Sequence, residues 1–309
     1  MMSTERATVL LSFVLVFSFL SCSDKTSEET DQFPVLRNKY LGQRHPGTTP
    51  EIFAPGVVST HKEHGSVAFS PDGNEFYFTR HEWTKRKATI MVSQYVDKRW
   101  TEPRVVPFSG KFWDDSPAFS HDGKRLYFHS GRPKEGFDEV NLWFVQKFHN
   151  GWGEPQKMSP PVNPGTGVSF SESGTLYFTS RREGGKGKGD IYRSSLVDGK
   201  YRAVDHLGEG INTEHSEYSP CIAPDESWLL FTRYVEKPRG VSIFVSFRTE
   251  DGTWTEAQNM GEIYDMFKES RFPSLSHDKK YLFFEAEVDD TTDLYWVGSK
   301  ILEELRPDQ

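Results

Sequence analysis

Cysteine is almost missing from this chain. The two present in 309 residues, Cys22 and Cys221, exclude a disulfide framework, and neither stands in the paired spacing that redox or zinc chemistry uses. Cys221 therefore reads as a small apolar side chain inside a strand. Positive charge is also in deficit: the formal net charge is −8, so no broad basic stripe exists to neutralise phosphates, which argues against a nucleic-acid partner. Beyond the first twenty residues no apolar run is long enough for a membrane-crossing helix. A His-Glu-x-x-His metal motif and a Gly-x-Ser-x-Gly nucleophile turn are both lacking. From these absences no cofactor, no metal and no committed catalytic residue is expected. What the chain does have, 14% aromatic and 27% charged residues, suits a folded protein with a real core.

One phrase recurs along the sequence. Ala68-Phe-Ser-Pro-Asp-Gly73 is followed by Phe76-Tyr-Phe-Thr79, and Ala118-Phe-Ser-His-Asp-Gly123 by Leu126-Tyr-Phe-His129. The later copies begin at Ser169, Cys221 and Ser274. Their apolar anchors Phe69, Phe119, Phe170, Ile222 and Leu275 lie 50, 51, 52 and 53 residues apart. Each unit adds a third strand-like segment, such as Ile90-Met-Val92 or Leu142-Trp-Phe144. A fourth follows a turn in four of the units, as at Trp100-Thr-Glu-Pro103 and Trp152-Gly-Glu-Pro155. Short β-branched and aromatic runs punctuated by Asp-Gly, Ser-Gly and Asn-Gly turns describe four antiparallel strands per repeat. That pattern predicts an all-β, five-bladed propeller, with six blades as the alternative. The fifth unit has no fourth strand of its own. Pro50-Glu-Ile-Phe-Ala-Pro55 should supply it, closing the ring and covering an open sheet edge.

The repeated Phe-Ser-Pro-Asp-Gly turn resembles that of the TolB-type branch of WD-like propellers, and the whole organisation is similar to small propeller lipoproteins of Bacteroidetes-type bacteria. The likeness covers most of residues 50–300. It implies a periplasmic or surface binding role more readily than catalysis. Asp225-Glu226 and Asp278-Lys279 depart from the turn by losing its glycine. At the start of the chain, Arg6 precedes an apolar run from Ala7 to Leu20 that ends at Ser21-Cys22. This reads as an export signal, and Phe19-Leu20-Ser21-Cys22 resembles the bacterial lipobox. The organisation expected is thus a signal peptide over 1–21, a lipidated Cys22 with a polar tether over 22–49, the propeller over 50–300, and a tail over 301–309. Several acyl chains on Cys22, at about 0.8 kcal/mol per buried CH₂ group, would hold the protein to a membrane. The expected location is the cell envelope, on its periplasmic or outer surface. A monomer is expected.

Residues just before the first strand and just after the second share one end of each blade. There stand Glu63 and His64, Asp114 and Asp115, Glu217, and Glu269 with Arg271; opposite them stand Arg80, Arg132, Arg181 with Arg182, Arg233 and Glu285. Two readings apply to this rim. Each blade could tie its own loops with a carboxylate and a guanidinium, the signs being swapped between Arg271 and Glu285 in blade five. Alternatively, converging charges at a propeller axis make a ligand site, where arginines would grip a carboxylate-bearing sugar or peptide. The candidate ligand-binding residues are His64, Arg80, Asp114, Asp115, Glu217, Arg233, Glu269 and Arg271. The partner expected is an envelope protein or a glycan. The alternative is a carbohydrate-active hydrolase or lyase, which needs two carboxylates across a sugar. His61, His64 and His215 with Asp114 or Glu217 form a weaker metal candidate, and Gly184-Gly-Lys-Gly-Lys-Gly189 reads as a hairpin loop rather than a phosphate cradle.

Overall fold

The computed structural model describes residues 33–60, 64–133, 140–234, 240–260 and 266–307. Two units divide the chain, Met1–Pro34 and Val35–Gln309, and the second holds the fold. The expected signal peptide and Cys22 lie outside the described residues, as do His61 and Glu63. No described helix is long and apolar enough to cross a membrane.

Five four-stranded antiparallel sheets form a propeller ring, as the repeat predicts. In blade one the inner strand His64–Phe69 pairs with Glu75–Glu82, which pairs with Lys87–Val96, and Arg104–Val105 lies outermost. The inner strands of blades two to five are Asp114–Phe119, Thr166–Phe170, Ser216–Ile222 and Glu269–Leu275. The ring closes through the chain's beginning: Glu51–Ile52 pairs with Thr291–Gly298, with Glu51 opposite Trp296 and Ile52 opposite Tyr295. Phe53 follows, fully buried, with its ring about 5 Å from those of Phe283 and Trp296. Burial of such a side chain is worth about 1.5–3 kcal/mol. Tyr40 and Leu41, within the stretch expected as tether, also pack in this core.

Apolar residues alternate along the strands so that each sheet buries a face against its neighbour, and one aromatic-rich cluster fills each junction. Tyr77, Ile90 and Val92 of blade one meet Leu126, Phe128 and Val145 of blade two. The junction of blades five and one joins Phe76 and Phe78 to Phe283 and Trp296. Between blades four and five lies Cys221, a free thiol whose burial pushes its pKa up to about 12. The tail contributes a short helix, Ile301–Glu304, whose Ile301 and Leu302 enter the same cluster.

The repeated turn is a side-chain device. Asp72 accepts hydrogen bonds from the Ser70 hydroxyl and the Asn74 amide, and Gly73 adopts φ +64°. Asp122 and Asp278 repeat the arrangement with Ser120 and Ser276. Where the glycine is lost, Glu226 and Lys279 still take φ of 61° and 65°. An Asp-anchored turn therefore tolerates a left-handed residue other than glycine.

Candidate functional site

At the opposite end of the inner strands, every blade breaks register at the same point, as between Asp115 and Ala118 or Arg271 and Ser274. Ser116, Gly167, Ser219 and Phe272 sit in the left-handed region there, with proline following in blades two, four and five. A bulge re-aims the neighbouring side chains. Asp115 just before it, and Phe272 within it, consequently meet side chains of adjoining blades. Beyond the bulges, towards the repeated turns, a cavity of about 360 Å³ runs between the inner strands.

Three carboxylates at this mouth are buried and held by a guanidinium of their own blade. Asp114 accepts from Arg132 at 2.7 Å and from the Ser130 hydroxyl at 2.6 Å. Glu217 accepts from Arg233 at 2.9 Å and from the Thr213 hydroxyl at 2.6 Å. In blade five the signs are swapped, Glu285 being held by Arg271. Glu285 also accepts the backbone N–H of His64 at 2.7 Å, which ties blade five to blade one. Burial raises the Asp114 and Glu285 carboxyls above their ordinary values, against the pull of Arg132 and Arg271. Burial likewise lowers Arg233, although Glu217 opposes it.

The arginines do more than neutralise acids. Arg132, Arg182 and Arg233 each donate to a carbonyl of the loop entering their blade, at Phe108, Pro161 and Ile211 respectively. Each guanidinium also lies over aromatic rings of the second and third strands: Phe128 and Trp143, Phe178 and Tyr192, Phe231 and Phe244. Among the described residues blade three keeps this arginine clamp without an acid, so loop fastening is its common element. Arg80 is arranged differently, its guanidinium 5.7 Å from the Phe78 ring centre.

Among the described residues no arginine engages Asp115. Its Oδ2 lies 2.9 Å from His81 Nε2, on the second strand of blade one, and 3.3 Å from His129 Nε2, while Oδ1 accepts the Ser116 N–H at 2.6 Å. Although burial pushes the Asp115 carboxyl up, the two histidines hold it well below the usual carboxylate range. Burial lowers His81, but Asp115 overrides that and raises the imidazole above its ordinary value. Gly65 makes room for the pair: a Cβ there would stand 2.6 Å from Asp115 Oδ1 and 3.1 Å from the His81 ring. His81 stacks on Trp113 at 5.5 Å and lies 4.8 Å from Trp83. Phe272 reaches both His81 and Tyr218, with ring centres 6.3 Å from each.

Of the candidates named from sequence, Asp114, Glu217 and Arg233 thus fall in clamps. Asp115, Glu269 and Arg271 fall at the mouth, where Glu269 lies 3.8 Å from Arg271. His64 is fully buried. His81 and His129 were missed, although His129 occupies the register position of Thr79, Thr179 and Thr232, where a histidine breaks the pattern. Among the described residues no group of three His, Cys, Asp or Glu side chains could hold a metal. In the loop 184–189 the N–H groups of Lys186 and Gly187 donate to the Asp190 carboxylate, at 2.6 and 3.0 Å. The loop wraps its own acid in place of a phosphate.

No protein-family model matches the chain, and no curated protein matches it. Solved structures do. TolB from Acinetobacter baumannii is 16% identical with a TM-score of 0.50, over 86% of this chain and 63% of that one. An α-L-arabinofuranosidase from Lactobacillus brevis is 12% identical with a TM-score of 0.56, over 78% and 91%. The endo-arabinase of Bacteroides thetaiotaomicron gives 12%, 0.51, 78% and 96%. At these identities the likeness is one of fold.

Proposed function

We propose that this propeller is a cell-envelope binding module that takes its ligand at the mouth where the inner strands begin. The carrying observation is that Asp114, Glu217 and Glu285 are each buried and engaged by an arginine of their own blade. Carboxylates spent in this way brace the ring and offer no acid and base pair facing a substrate. What the mouth presents in their stead is a set of side chains that differs from blade to blade. The likeness to TolB and the lipobox-like Phe19-Leu20-Ser21-Cys22 support an envelope location with an anchor at Cys22.

Capture from envelope extract, run beside a glycan array, tests this reading. Retention of a ligand by the wild type and its loss in His129→Ala supports it; equal retention by both removes the mouth. Cys22→Ser should release the protein from the membrane fraction.

A hydrolase reading draws support from the two sugar-cleaving enzymes among the similar structures, with Asp115 as a mouth carboxylate that no described arginine engages. Turnover of arabinan or an aryl arabinofuranoside that vanishes in Asp115→Asn would establish it. A wild type that turns over neither would remove it.

A further inference from the structure

Resting on that reading of the mouth, we propose that its ligand is a neutral saccharide, seated with one ring face on Trp83. Trp83 is 43% exposed, the largest exposed aromatic side chain at the mouth among the described residues. It is not loosely held: its ring centre lies 5.1 Å from that of Trp113, which is buried, and 4.8 Å from that of His81, which Asp115 fixes. A flat apolar surface already immobilised by its neighbours costs little ordering entropy when a ligand lands on it.

Beside this surface stand both hydrogen-bonding senses that a sugar hydroxyl needs. Arg271 donates and is 24% exposed, and Glu269 accepts and is 31% exposed, the two being 3.8 Å apart. His129 turns Nε2 to Asp115 and keeps 15% of its side chain exposed at the wall of the site. Asp115 itself is a positioning residue. Ser116 takes one oxygen and the two histidines the other.

Charge selects against other small ligands. An anion would meet Asp115, Glu269 and Glu285, whereas a cation would meet Arg271 and the imidazolium that Asp115 favours at His81. A polyol with an apolar ring face and hydroxyls round its edge satisfies every group without bringing net charge into a partly buried site.

The test is calorimetric titration of the full chain with neutral pento- and hexo-oligosaccharides of three to five rings, and with acidic and basic peptides as the competing class. A saccharide should bind, Trp83→Ala should weaken it about tenfold, and Trp83→Phe should keep most of the affinity. Trp83 packs on two rings but is nearly half in solvent, so its loss should lower the unfolding midpoint only slightly, and a cooperative transition well above the titration temperature separates binding from folding. His121→Ala, in the turn at the far end of the channel, should bind as wild type. No saccharide binding, or equal affinity in Trp83→Ala, overturns the saccharide proposal. Peptide binding that is lost in His129→Ala overturns it too while leaving the mouth reading intact; saccharide binding lost only in His121→Ala overturns both.

Discussion

The two ends of the channel are built on opposite principles. At the turn end, all five blades solve one local problem in nearly the same way, with an acid or hydroxyl two residues on from the start of the turn holding it shut, as Asp72, Asp122 and Asp278 do. At the mouth the equivalent positions read Gly65, Asp115, Thr166, Tyr218 and Arg271, no two alike. Uniformity marks what every blade needs in order to fold. Divergence marks where the ring stops being symmetric and can distinguish one ligand from another.

That contrast can be broken most severely at the clamps. Arg233→Met should cost about 3–5 kcal/mol, because Glu217 would be left buried without its counter-charge; urea unfolding measures it, and a loss below 1 kcal/mol would show Glu217 to be hydrated. Asp115→Asn should cost about 1–3 kcal/mol by stranding a histidine N–H, and it should also change the pH profile. The depressed Asp115 carboxyl contributes stability above the ordinary carboxylate range, lost as pH falls through its folded value. The raised His81 contributes stability below the ordinary imidazole pKa, lost as pH rises through its folded value. Wild-type unfolding midpoints should therefore fall as pH rises above the ordinary imidazole range, in a way that Asp115→Asn does not reproduce. At the turn end, Asp72→Ala should cost about 1 kcal/mol, the worth of ordinary hydrogen bonds near solvent. Smallest is Lys279→Gly, which relieves a left-handed residue and forfeits an exposed ion pair with Glu172, for a net gain of about 0.5 kcal/mol by thermal melt.

Legibility in the sequence followed the same division. Five blades, their closure by Glu51–Ile52 and the swapped pair in blade five could be read because each depends on residues at a constant offset within the repeat. The carboxylate–arginine pairs of blades two and four were legible for that reason. What escaped was the meeting of Asp115 with His81, 34 residues away in the preceding blade. Contacts across a junction depend on how one sheet is rotated against the next, and no motif inside a single repeat encodes that angle. Blade three shows the converse. No acid precedes its first strand, and the Arg182 clamp works through the Pro161 and Val162 carbonyls, which side-chain identities do not announce.

Because Glu51 is hydrogen-bonded into the same sheet as Trp296, the first element of the propeller has to wait for the last. A nascent chain can assemble its middle blades in order, but Phe53 finds Phe283 only after almost the whole polypeptide has emerged. Non-local pairing of that kind slows folding and leaves an open strand edge exposed in the interim. A ribosome-stalled chain ending before Thr291 should accordingly be cut by protease near Phe53 and Phe76 long after its second and third blades have become resistant.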